Sequence, residues 1–136
     1  MRRTLLLAWA MVLSVSAFGQ EPDPDRHKNS TALLLEGQRA QDGKTPNLPL
    51  AIVKYRKAAE KAKGEKNDAV AAEALGRLAL SNERLEPENI ADAAAAWAEI
   101  VSAFPETKPW GDRAREKVAC KGVDVWLNQL HVALDA

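Results

Sequence analysis

Residues 55–79 read YRKAAEKAKGEKNDAVAAEALGRLA, a stretch of alanine and charge interrupted once, by KGEKND at 63–68. Ala58, Ala59, Ala71, Ala72 and Gly76 stand where a core ordinarily wants bulk. On both sides of the interruption the apolar positions recur near every 3.6 residues, so each side reads as a helix. Ala51, Tyr55, Ala58 and Ala62 share one face of the first; Ala71, Leu75, Leu78 and Ala79 share one face of the second. No segment of the chain alternates with the period of two that marks a strand. The spacing therefore predicts an all-α fold in which small residues let neighbouring helices approach closely.

Working outward, the spacing predicts about six helices. The first spans 30–41, with Asn29 or Ser30 as N-cap, and 42–49 is a loop of turn residues. The second spans 49–62, with Gly64 as its stop. The third, 69–82, is capped by Asn67 or Asp68. Pro87 suits the first turn of the fourth, 88–104, which aligns Ile90, Ala93, Trp97, Ile100, Val101 and Phe104 and is stopped by Pro105. Pro109 opens the fifth, 109–120, with Trp110, Ala114 and Val118 inward. Gly122 separates it from the sixth, 123–135, which carries Val123, Trp126, Leu127, Leu130 and Leu134. Short connections between helices of this length imply antiparallel neighbours.

The pattern repeats. Gly37 and Gly76 each lie mid-helix, 39 residues apart. Each precedes a helix with an Ala-x3-aromatic spacing, Ala51 to Tyr55 and Ala93 to Trp97. A mid-helix Gly costs on the order of 1 kcal/mol against Ala, so it needs a packing reason. Close helix crossings supply one: glycines and alanines are the holes, and Tyr55, Trp97 and Phe104 are the knobs. The pattern resembles the tetratricopeptide and Sel1-like repeats, in ALGRLA (74–79), AAAAWAEI (93–100), Pro105 and AIVKYRKAAEKA (51–62). The chain departs from it at Glu36, where a Leu is usual, and in the insertion NERLEPEN (82–89). The resemblance covers 31–105, with 109–135 as a capping pair. It implies a short right-handed superhelix of antiparallel helix pairs over 30–136.

The ends suggest export. Residues 1–19 pair Arg2 and Arg3 with an apolar run from Leu5 to Leu13 and a small-residue end at Ala17 and Gly19, the layout of a signal peptide. The run is too short for the roughly 20 residues that span a bilayer. Cleavage after Gly19 or Ala17 would leave a disordered tail over 20–29 and no membrane span; the alternative is a retained anchor. The protein is then periplasmic or secreted. From Gln20 onward, 17 Lys and Arg face 19 Asp and Glu, a balance that argues against nucleic acid. Charge is segregated nonetheless: 39–66 carries eight basic and three acidic residues, 68–106 two basic and eight acidic. The one cysteine, Cys120, cannot form an internal disulfide. It reads as a buried small hydrophobe or as an exposed thiol that bridges two chains.

No catalytic constellation stands out. His27 and His131 have no partner at metal-ligand spacing, no glycine-rich phosphate loop exists, and Glu83, Glu86 and Glu88 read as solvation of the insertion. The expectation is a protein that is not an enzyme and takes no cofactor or metal. In the resembling repeats the first helix of each pair lines a concave groove. By position relative to Gly37 and Gly76, that places Leu34, Gln38, Gln41, Glu73, Arg77 and Leu80 on the groove, with Arg113 and Lys117 from the fifth helix. The implied function is an exported scaffold holding a protein or peptide partner. The alternative is a self-associating, homo-oligomeric module of the bacterial envelope that stacks through the opposed charge blocks.

Overall fold

The computed structural model describes residues 21–85 and 89–120. Among them it is all-helical, with α1 (Ser30–Asp42), α2 (Leu48–Gly64), α3 (Asp68–Leu85) and α4 (Ile90–Ala103), and α5 over residues 110–120. The expected signal peptide and the sixth helix, 123–135, lie outside the described residues.

Side-chain caps set the helix starts. Asn29 Oδ1 accepts from the Ala32 N–H at 2.8 Å, and Asn47 Oδ1 from the Leu50 N–H at 3.0 Å. Asn67 Oδ1 accepts from Val70 N–H at 3.3 Å, so Asn67, rather than Asp68, caps α3. The end of α2 departs from expectation. Gly64 is still helical, and the left-handed residue that turns the chain is Lys66, at φ 55°. The Asn67 N–H then bonds back to the Ala62 carbonyl at 2.9 Å.

Contacts run α1 to α2, α2 to α3, α3 to α4, and directly from α1 to α3. Cross-helix bonds give the directions. Ser30, at the start of α1, meets Glu65, at the end of α2, so these two are antiparallel. Gln38 reaches Glu73, so α1 and α3 are direct neighbours, and Lys63 reaches Glu99 between the late turns of α2 and α4. α3 lies at the centre of this arrangement.

The core is alanine-lined. Ala51, Ala58, Ala62, Ala71, Ala72, Ala74 and Ala79 have no exposed surface, and the largest buried side chains are Trp97 and Tyr55. Each large ring buries about 150–250 Å², which at about 25 cal/mol per Å² is about 4–6 kcal/mol as an upper bound. The rings need room, and glycine provides it. A Cβ on Gly37 would meet Tyr55 Cε1 at 2.5 Å. A Cβ on Gly76 would collide with the ring of Trp110, not Trp97. Trp97 instead stacks on Trp110, with centroids 6.4 Å apart. The second glycine is thus covered by a ring from the start of α5, with the α4 aromatic behind it.

Two expected core residues lie outside. Ile90 and Val118 are 46 % and 41 % exposed. Ile90 is the first residue of α4, which starts two residues later than its spacing predicts.

Residues 21–29 also differ from the expected disordered tail. They turn once and lie along α2 as a strap, with the Asp25 side chain 4 % exposed. Lys54 Nζ donates to both Asp25 oxygens at 2.7 and 2.8 Å, Lys57 at 2.9 Å and Lys28 at 3.0 Å. Lys28 and Lys54 also pair with Glu36. Three cations close on one carboxylate, a pairing that composition alone cannot reveal.

Two tests follow from this packing. Gly76→Leu should destabilise by about 1–3 kcal/mol through overpacking against Trp110. Gly64→Ala, with no atom within 4 Å of the new Cβ, should be neutral or slightly stabilising. A thermal melt in which Gly76→Leu rises would overturn the close-crossing account. The second test is acid titration. The bonds from Lys54, Lys57 and Lys28 hold the Asp25 carboxyl well below the usual carboxylate range, and those from Lys28 and Lys54 lower Glu36. Because the folded pKa values lie below the unfolded ones, this stabilisation is full above about pH 5 and lost as pH falls from there toward the folded values. Asp25→Asn should cost about 1–3 kcal/mol at pH 7, discounted from a fully buried pair because Lys28 and Lys57 stay one-third exposed. It should also flatten the acid slope of unfolding measured by circular dichroism.

Candidate functional site

Gln38, Glu73 and Arg77 meet where α1 and α3 run side by side. Gln38 Nε2 donates to Glu73 Oε1 at 3.2 Å, and Arg77 Nε donates to the same oxygen at 2.9 Å. Gln41 joins from beneath through Tyr55, whose hydroxyl donates to Gln41 Oε1 at 2.6 Å. Burial pushes the Tyr55 phenol up, so it remains a neutral donor. The one ring that lies on Gly37 thus also fixes Gln41, a turn further along α1. All four polar side chains are half-buried.

Arg113 and Lys117 lie in a second place. Arg113 sits over Trp110, 5.3 Å from the ring centroid, and Lys117 over Trp97 at 6.0 Å. They share a cleft of about 350 Å³ with Leu80, Trp97, Glu116 and Cys120. α3 links the two places, since Arg77 faces the first and Leu80, three residues on, lines the second. Leu34 does not belong to either: it is 5 % exposed, packed in the core. Its position relative to Gly37 matches that of Glu73 relative to Gly76, but the two hairpins turn that position differently. Cys120 is exposed, so its reading as a buried hydrophobe is corrected.

Sequence reasoning missed Glu83. Expected in a loop, it lies in the last turns of α3, which continues to Leu85. It accepts from the Trp97 indole N–H at 2.8 Å and from Lys117 at 2.8 Å. Its signal is the distance of about two helical turns from Gly76, which puts it near the partner aromatic of its own hairpin.

Among the described residues, no three His, Cys, Asp or Glu side chains gather as a metal site, and no helix is long and apolar enough to cross a membrane. Comparison with protein-family models, with curated proteins and with solved structures gave no match.

Trp97 is 2 % exposed, so Glu83→Ala would strand its buried indole N–H. The expected loss is about 1–3 kcal/mol in denaturant unfolding, with Glu83→Gln recovering most of it because an acceptor remains.

Proposed function

We propose that this chain is an exported, non-enzymatic helical-repeat scaffold, a short right-handed superhelix of tetratricopeptide-like helix pairs, that holds a protein or peptide partner across the α1–α3–α5 face. The observation that carries the reading is the state of the two amides. Gln41 spends its oxygen on Tyr55, and Gln38 spends its nitrogen on Glu73. The Gln41 amide nitrogen and the Gln38 amide oxygen have no bond to other described residues, leaving amide N–H donors and a carbonyl acceptor. A peptide unit presents the complementary acceptor and donor. The Arg77 guanidinium beside them supplies charge for a carboxylate.

The pairing of Arg77 with Glu73 is a half-exposed i,i+4 contact worth only about 0.2–0.5 kcal/mol, so a ligand carboxylate competes with it. Arg77→Ala should leave the melting temperature nearly unchanged while weakening capture of a partner from an envelope extract. Unchanged capture with Gln38, Arg77 and Arg113 all replaced would sink the reading.

A second reading, the self-associating envelope module, is favoured by Leu50 and Val53, one turn apart on α2 and 44 % and 46 % exposed. It predicts a mass in solution above that of one chain, falling with salt if the opposed charge blocks contribute.

A further inference from the structure

One stripe of α2 carries Lys54, Lys57 and Lys61 at spacings of three and four residues, Glu65 follows just past its end, and residues 23–30 engage every one of them. Lys54 and Lys57 take Asp25; Lys57 also takes Asp23 at 2.8 Å. Lys61 donates to the Arg26 carbonyl at 3.1 Å, and Glu65 accepts from Ser30. The strap resembles a bound peptide more than a loop. Its hold on the helix is mainly through side chains, with one lysine on a strap carbonyl. Its central carboxylate is nearly dry, although a surface ion pair would leave it wet. Pro22 and Pro24 bracket Asp23 and restrict the backbone in advance, which lowers the entropy cost of docking.

Charge balance gives the next step. Lys28, Lys54 and Lys57 are matched by Asp23, Asp25 and Glu36. Lifting Asp23 and Asp25 away leaves Glu36 alone against three lysines, of which Lys54 is 15 % exposed while the strap is docked. The uncovered lysines attract a new carboxylate by charge.

We propose that the Lys54–Lys57 stripe of α2 is a binding site for an acidic Asp-x-Asp turn of a partner protein, held closed by residues 22–25 as a pseudo-ligand in cis, whose own Asp-x-Asp is a turn closed by the Arg26 N–H on the Asp23 carbonyl. The tether to α1 is four residues, 26–29. A short tether gives the strap an effective concentration in the millimolar range, so a partner at micromolar concentration does not displace it. The strap therefore acts as an autoinhibitory contact. The site is independent of the α1–α3–α5 face.

The probe is a fluorescein-labelled peptide with the sequence of residues 20–25, titrated into the full chain by fluorescence anisotropy. D23N/D25N should bind it at least ten-fold more tightly than the wild type. Adding Lys54→Gln to that variant should reverse the gain by at least ten-fold, and a peptide with both aspartates replaced by asparagine should bind none of them. Equal affinity of wild type and D23N/D25N, or no effect of Lys54→Gln, overturns the proposal. Should D23N/D25N lose its helical circular dichroism, Asp23→Asn alone decides. That side chain is 52 % exposed, so the fold tolerates the change. Freeing Lys57 from one partner should raise peptide affinity several-fold, and no gain overturns the proposal.

Discussion

The ring of Tyr55 rests on the bare backbone of Gly37, and the arrangement of the first hairpin depends on that approach. A side chain of any size at Gly37 would push the ring out. The ring brings α1 and α2 together, its hydroxyl fixes Gln41, and the alanines of α2 follow it into the interface. With α1 held in this way, Gln38 lies against Glu73 of α3. A single packing contact therefore sets both the stability of the hairpin and the spacing of the polar row beside it.

The second hairpin solves the same problem with different parts. Gly76 again leaves room for a ring, but Trp110 fills it and Trp97 stacks behind. Sequence spacing made the glycines and the Ala-x3-aromatic pairs visible, and with them the helices and most of the buried face: Ala51, Tyr55, Ala58, Leu75, Leu78, Trp97 and Ile100 all lie inside. It could not say which ring meets which glycine. That depends on how the turn 104–109 directs α5, and the turn is set locally. Thr107 Oγ1 donates to the Phe104 carbonyl at 2.7 Å, and Gly111 admits the Pro105 carbonyl where any Cβ would clash.

The candidate site was legible in part, for the same reason. Gln38, Glu73 and Arg77 follow from their offsets to Gly37 and Gly76, which helical geometry preserves. Leu34 does not, because an equivalent offset in the other hairpin faces a different neighbour. The strap was hidden more deeply. Its residues are polar and proline-bearing, the composition of a solvated tail, and two of the three lysines that close on Asp25 lie some 30 residues away. The stripe of Lys54, Lys57 and Lys61 was present in the sequence at helical spacing, but a lysine stripe normally faces water and carries no indication that it has a resident partner.

These features divide the work of the chain. An alanine-lined core makes few large apolar contacts, so its stability is concentrated in a handful of rings and the glycines beneath them. Most of the remaining surface is then free to carry charge without cost to the fold. The basic block of 39–66 is partly spent within the chain, on the strap through Lys54 and Lys57 and on the acidic block through Lys63 and Glu99. Segregated charge in this sequence is therefore first a device of intramolecular packing. A partner that engages α2 must compete with bonds already made, whereas one that engages the α1–α3 face meets amide groups that the fold has oriented and left half-used. On the reading proposed above, that difference would separate a face open to a ligand from one that must first be released.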